Sequence, residues 1–459
     1  MSTTDPDLLV VGGGPGGMQA ALEAARAGAS VTSVDGSPQL GGQYLRRPAA
    51  ALQATRPGAL HHGWAAAERR YEQLHALDNV RLVTGTRVWS AQRHAGGVRL
   101  HVMGGVDGVL DAPALVLATG ATERVVPFPG WDLPGVLTVG GTQALLKWQG
   151  VRPGHRVVVA GAGPLLLPVA SALVRTGTNL IEVCDATHPR RWLAAGLRLA
   201  SPGKAAEAVE YLRHLAVARV PLRTRTAAIR ADGDGRVEQV TLAHLDEDWR
   251  VVPGTLRTID ADALCTSHGF VPAVELAATL GCEVGGGPPP VAVVDVQQRT
   301  NVDGVFSVGE LTGVAGAEAA TAEGGVAGLV AARTLGYAID RDRLLALGRR
   351  RAREHRFAAG LRRLTKVPGG WVSWLEDDTI VCRCEDVPYA RVRDAIRELG
   401  AHDLRSVKMT TRCGMGLCQA RVCGATITDL VALETGAPPP DPTALSTRPI
   451  ATPVRLGTL

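Results

Sequence analysis

A chain of 459 residues, 46% hydrophobic and 4% aromatic, is long enough for two or three domains with separate cores, and its 55 glycines favour a nucleotide-binding α/β protein over a β-sandwich. No stretch approaches the ~18 uninterrupted apolar residues of a simple membrane span. The net charge of +5 is local, because residues 341–366 carry ten Lys/Arg against two acids and the remainder is net negative; with few interleaved aromatics, a nucleic-acid binder is excluded.

The N-terminus, MSTTDPDLLVVGGGPGG, has no basic segment, and glycines break its apolar run at once. This predicts no signal peptide and a soluble, cytoplasmic protein. DLLVVGGGPGGMQAALEAARAGASVTSVDGSPQLGG predicts a strand, a tight turn, a helix and a second strand ending in Asp35. Gly12, Gly14 and Gly17 satisfy GxGxxG: a tight turn, close approach of backbone to a pyrophosphate, and close packing of helix on strand. Asp35 stands where a carboxylate takes ribose hydroxyls. Further on, LVLATGATERVVPFPG predicts a buried strand ending in Thr119-Gly120.

RVVVAGAGPLLLPVASALVRTGTNLIEVCDA repeats the pattern with Gly161 and Gly163, but Leu166 holds the third glycine position. A leucine there is expected to hold helix and strand apart and narrow the cleft. Asp185 keeps the ribose position, and Arg190 and Arg191 follow where a 2′-phosphate reader would stand. The expectation is a retained domain with a spent nucleotide site, closing near HGFVPAVEL. Cys184, Cys265 and Cys282 form no CxxC or CxxxxC pair, so a disulfide reductase lacks its mechanism and these thiols read as core.

TNVDGVFSVGELTGVAGAEAATAEGGVAGLVAA then predicts a strand, Gly309-Glu310 and a small-residue helix. With the first motif and Thr119-Gly120, this order resembles the two-dinucleotide-domain flavoproteins over about residues 5–335. In those proteins FAD lies across a domain split by an inserted second one. The resemblance implies a cofactor-binding set of Gly12, Gly14, Gly17, Asp35, Gly42, Gln43, Val88, Thr119, Gly120, Gly309 and Glu310. Within it, Glu310 bonds the ribityl chain and Gly41-Gly42-Gln43 lies near the flavin.

Leu344, Leu347, Phe357, Leu361 and Leu364 fall near helical spacing in the basic stretch, predicting an amphipathic helix or helix pair. Its plain meaning is a solvated face; its sharper one is a docking surface for an acidic partner. Beyond KVPGG, five of the eight cysteines crowd into 42 residues: Cys382, Cys384, Cys413, Cys418 and Cys423. That crowding reads as metal rather than disulfides. Cys413/Cys418 and Cys418/Cys423 have the same spacing, so spacing does not choose between them, and zinc is the alternative to an iron–sulfur cluster.

CxC, a helical stretch and CxxxxC resemble the small helical [2Fe–2S] domain related to bacterioferritin-associated ferredoxin. The resemblance selects Cys382, Cys384, Cys418 and Cys423 as ligands and leaves Cys413 as a neighbour. Over about residues 5–435 the whole chain resembles the α subunits of bacterial multi-subunit amine and amino-acid dehydrogenases. These are of the opine oxidase, D-hydroxyproline dehydrogenase and hydrogen cyanide synthase type.

That family implies an amino-acid-oxidase-like β subunit carrying its own FAD, which oxidises a C–N bond and passes electrons to the α subunit. In some members there is an FMN at the subunit interface or a small third subunit. The division of the chain implied is an FAD domain over 1–150 and 270–340, a second Rossmann domain over 151–269, a basic linker over 341–370, a [2Fe–2S] domain over 371–435 and a tail over 436–459. No catalytic residue is assigned; His268 beside Gly269 is the one loop histidine nominated, and its plainer reading is structural. Two other classes compete: a self-contained NAD(P)H-dependent reductase, and a module that keeps both groups for structure alone.

Overall fold

Runs of valine and leucine that end in glycine turns set the frame. The computed structural model describes residues 5–54, 56–196, 202–287, 289–446, 448–454 and 457. Leu8–Val11, buried at every position, is the middle of a five-stranded parallel sheet in the order Val305–Ser307, Ala114–Leu117, Leu8–Val11, Val31–Val34, Val80–Val83. Both faces of this sheet are covered, which is why its strands read as continuous apolar runs. A second five-stranded parallel sheet takes Leu222–Thr224, Asn179–Asp185, Arg156–Gly161, Ala263–Ser267 and Val136–Thr138. The fold is α/β with two dinucleotide-type units.

The chain passes between the units on two adjacent threads, Ala121–Glu123 and Phe270–Pro272, paired antiparallel. Val136–Thr138 already lies on the second sheet, against Ala263–Ser267, ahead of the boundary expected at residue 150. Three residues are too short a run for periodicity to reveal.

The basic stretch is one helix, Arg341–Leu364, capped by the Asp340 carboxylate, which accepts the Arg343 N–H at 2.9 Å. Leu347 and Leu364 are buried, while most of the arginines face outward. The helix packs on the small-residue helix Ala317–Thr334, whose glycines permit close approach. A Cβ on Gly325 would stand 2.8 Å from the Leu347 side chain. Among the described residues no helix is long and apolar enough to cross a membrane.

The cysteine-rich segment shares its core with the second unit. Trp371, Trp374, Val392, Leu404 and Ile427 form one apolar cluster with Trp249 and with Val158 and Leu264 of the second sheet. Trp374 stacks on Trp249 at 6.0 Å with planes 10° apart, and its Nε1 donates to the Trp249 carbonyl at 3.0 Å. Ion pairs Arg124–Asp429 and Arg421–Glu275 tie the same segment to the crossing threads. Trp374→Ala is therefore expected to cost about 3–5 kcal/mol, the usual range for a buried aromatic truncation. Thermal unfolding checks this, and an unchanged midpoint would show that the stack adds nothing to stability.

Candidate functional site

The two glycine turns differ in where their helices begin. In the first, the helix Pro15–Arg26 starts one residue after Gly14, so its unpaired N–H groups face the turn. A Cβ on Gly12 would lie 2.2 Å from the Ala118 carbonyl oxygen, and one on Gly17 would lie 1.8 Å from that of Gly12. These two glycines are required for backbone packing. Gly14 differs: a Cβ there meets nothing within 4 Å, and its φ of −71° suits any residue. The space in front of Gly14 is open, which fits a pyrophosphate laid on the turn and the helix N-terminus.

Most of the expected cofactor residues converge here. Asp35 is nearly buried, and its carboxylate accepts the N–H of Gly13 at 2.5 Å and of Ser37 at 2.6 Å, fixed at the strand end. Gly42, with φ of +61°, brings its loop over the turn, so that a Cβ on it would meet the Gly14 Cα at 2.8 Å. Gln43 beside it is hydrogen-bonded by Arg46. Thr119 follows Ala118 beside Gly12, and its hydroxyl donates to the Ala273 carbonyl at 2.8 Å, tying the strand end to the return thread. Gly120 has φ of +73° and open space around its Cβ position. The Val88 side chain is buried in the apolar layer under the sheet, so only its backbone has anything to offer a nucleotide.

Gly309 and Glu310 close the far side. Burial raises the Glu310 carboxyl above the ordinary range, and the Gly316 N–H donates to it at 2.9 Å. Sequence reasoning missed Glu323, which is 1% exposed and accepts the Gly309 N–H at 2.6 Å. Its other oxygen pairs with His355 of the basic helix. One acid buried in an otherwise small and apolar helix face was the available signal.

In the second turn the cradle is filled. Leu166 does not wedge helix from strand: it is 1% exposed and belongs to the apolar layer of Val157, Val159 and Leu173. The helix Leu166–Arg175 instead starts three residues after Gly163, two later than its counterpart. Gly163 is buried, and a Cβ on it would lie 2.7 Å from Cγ2 of Thr365, the residue that ends the basic helix. Burial raises the Asp185 carboxyl above its ordinary range, and it accepts the Thr187 N–H at 2.9 Å, as Asp35 accepts that of Ser37. Arg191 donates to the Glu247 carbonyl at 3.0 Å. His268 is packed edge-on against Trp249, and burial, with Arg124 nearby, pushes its pKa down to about 3. It is a neutral core histidine.

The thiols fall into two groups. Cys382 leaves the strand Ile380–Cys382, Cys413 follows the helix Leu404–Thr411, and Cys423 precedes the helix Gly424–Thr435. Their three Sγ atoms lie within 4.8 Å of one another, and all three are buried. Cys384 is exposed and Cys418 half-buried, and both lie outside the buried trio. Of the four expected ligands Cys382 and Cys423 meet, and the third thiol beside them is Cys413 rather than Cys384 or Cys418. Gln419 and Ala420 take left-handed backbone, with φ of 53° and 67°, which turns the chain sharply between Cys418 and Cys423. The neighbouring Cys413 and Cys423 thiols, and then the Gly414 N–H, which donates to Cys382 Sγ at 3.5 Å, hold the Cys382 thiol below its ordinary pKa. A crowd of soft thiols, one of them reached by the Gly414 N–H, fits an iron–sulfur cluster.

The sequence profile of the family described as pyridine nucleotide-disulphide oxidoreductase matches residues 6–324, and that of the BFD-like [2Fe-2S] binding domain matches residues 380–432. Hydrogen cyanide synthase subunit HcnB of Pseudomonas aeruginosa is 34% identical, with 93% of this chain and 93% of that protein covered. An opine oxidase subunit of Agrobacterium tumefaciens is 35% identical, over 99% of this chain and 91% of that one. The crystal structure of L-proline dehydrogenase from P. horikoshii superposes with a TM-score of 0.71 at 22% identity, covering 99% of this chain and 79% of that one, a likeness of fold.

Proposed function

The chain belongs to the pyridine nucleotide-disulphide oxidoreductase family and, within it, to the relatives of the opine oxidase and hydrogen cyanide synthase subunits; from that premise we propose that it relays electrons for a partner flavoprotein that oxidises the C–N bond of an amine, amino acid, imino acid or opine. It is an oxidoreductase that carries FAD and a [2Fe–2S] cluster. The observation that carries the proposal is the contrast between the turns: Gly14 faces open space, while Thr365 fills the Gly163 cradle. Hydride from a nicotinamide therefore has no built entry, and reducing equivalents arrive by another route.

Bound FAD supplies a two-electron carrier and the cluster a one-electron carrier. In this reading the Gly12–Gly17 turn and helix N-terminus hold the pyrophosphate, Asp35 takes the adenosine ribose and Glu310 orients the ribityl chain. Cys382, Cys384, Cys418 and Cys423 hold the cluster. The family's disulfide chemistry has no seat here. Cys184, Cys265 and Cys282 are buried apart in separate apolar clusters, and burial pushes the Cys265 thiol up to about 12. The C–N chemistry is assigned to an amino-acid-oxidase-like partner, with an FMN at the interface as the link where one is present.

Purification of the tagged chain from its native host tests the reading. A second flavoprotein is expected in fixed ratio, and amines or amino acids that reduce the complex should bleach this chain's flavin and reduce its cluster. A chain that comes down alone, or a complex in which substrate reduces the partner only, would overturn it.

A further inference from the structure

Four thiolates complete a [2Fe–2S] cluster, two to each iron. The contacts sort the thiols unevenly. Cys382, Cys413 and Cys423 make a buried inner trio, while Cys384 and Cys418, exposed and half-buried, are the outer thiols. The inner iron thus has three thiols within reach for two positions, whereas no spare thiol accompanies the outer pair among the described residues. We propose that Cys413 is a reserve ligand of the inner iron, able to replace Cys423 or Cys382, while Cys384 and Cys418 have no substitute. The proposal rests on the assignment of the cluster to Cys382, Cys384, Cys418 and Cys423.

Geometry and surroundings both support the exchange. Two thiolates on one tetrahedral metal with bonds of about 2.3 Å sit roughly 3.8 Å apart. The Cys413 Sγ is within 4.8 Å of both inner partners already, so a shift on the order of 1 Å suffices. Cys413 is 0% exposed, and Gly414 beside it donates its N–H to Cys382 Sγ at 3.5 Å. Its side chain is therefore buried beside the inner ligands, as they are. Cys384 packs against Gly416, where a Cβ would come 2.3 Å from the Cys384 Cβ, and Cys384 and Cys418 stand outside the group of thiols that Cys413 joins.

The full chain, purified anaerobically with its flavin content as the check on folding, tests this by iron and acid-labile sulfide per chain and by EPR of the reduced protein. Cys423→Ser is expected to keep at least about half of the wild-type iron and sulfide, with shifted g-values, because a thiolate replaces a thiolate. Cys413→Ser alone should keep the cluster unshifted. The double variant Cys413→Ser/Cys423→Ser should lose about nine-tenths of it, and so should Cys418→Ser even though Cys413 is intact. Cys423→Ala, which offers no oxygen ligand, should behave as Cys423→Ser does. Cluster loss in Cys423→Ser as complete as in Cys418→Ser, with flavin retained in both, would overturn the reserve role, as would a cluster unaffected in the double variant. A wild-type chain holding zinc and no sulfide would remove the underlying assignment instead.

Discussion

Gly14→Val is expected to give a folded protein with less than about a tenth of the wild-type flavin, because the Gly14 Cβ position is where the pyrophosphate must approach the backbone. The usual difficulty with glycine substitutions, that they break the fold before they empty the site, is absent here. The Gly14 backbone lies at φ −71° and ψ −177°, a conformation valine adopts readily, and no protein atom stands within 4 Å of its Cβ. Gly17→Val provides the contrast. Its Cβ would sit 1.8 Å from the Gly12 carbonyl oxygen, so it should fail to fold and not merely lose its cofactor. Flavin released on denaturation, measured per chain beside a circular-dichroism melt, separates the two. A soluble Gly14→Val protein with full flavin content would refute the placement of the pyrophosphate.

NADH and NADPH are expected to leave the flavin oxidised for minutes under anaerobic conditions at about 1 mM, the upper end of ordinary KM values. Two features oppose binding in the second cleft: Thr365 against Gly163, and a helix that begins two residues late. The late start matters more, since it removes from the turn the N–H groups that would face phosphate. Thr365→Gly should therefore not restore reduction by itself. Stopped-flow mixing checks this, and bleaching within seconds at sub-millimolar nucleotide would put the self-contained reductase first.

Much of the fold was legible in the sequence because its signals are local. A strand that runs into GxGxxG and a helix, with an acid at the next strand end, is set by backbone sterics over some 25 residues, and Gly12, Gly17 and Asp35 act as those sterics require. The crowding of five cysteines was equally local. The Leu166 reading failed because sequence aligns positions, whereas the helix start is set by packing: Leu166 turned into the core and the helix moved along the chain to follow it. Val136–Thr138 was missed because a three-residue strand has too little pattern to register.

Composition and spacing by themselves pointed to a nucleotide-binding α/β protein, to a glycine turn of dinucleotide type at its start and to a crowd of thiols that reads as metal; the flavoprotein family came from the resemblance. Both motifs depend on residues close together in the chain, whose conformations are dictated by neighbours a few positions away. Only the tertiary structure decided that Thr365, about 200 residues from Gly163, fills the second cradle, that Glu323 links Gly309 to His355, and that Cys413 stands with Cys382 and Cys423. These are contacts between segments that periodicity treats as independent, brought together because the Trp249–Trp374 stack and the buried side chains of the basic helix fix where the C-terminal third lies on the rest.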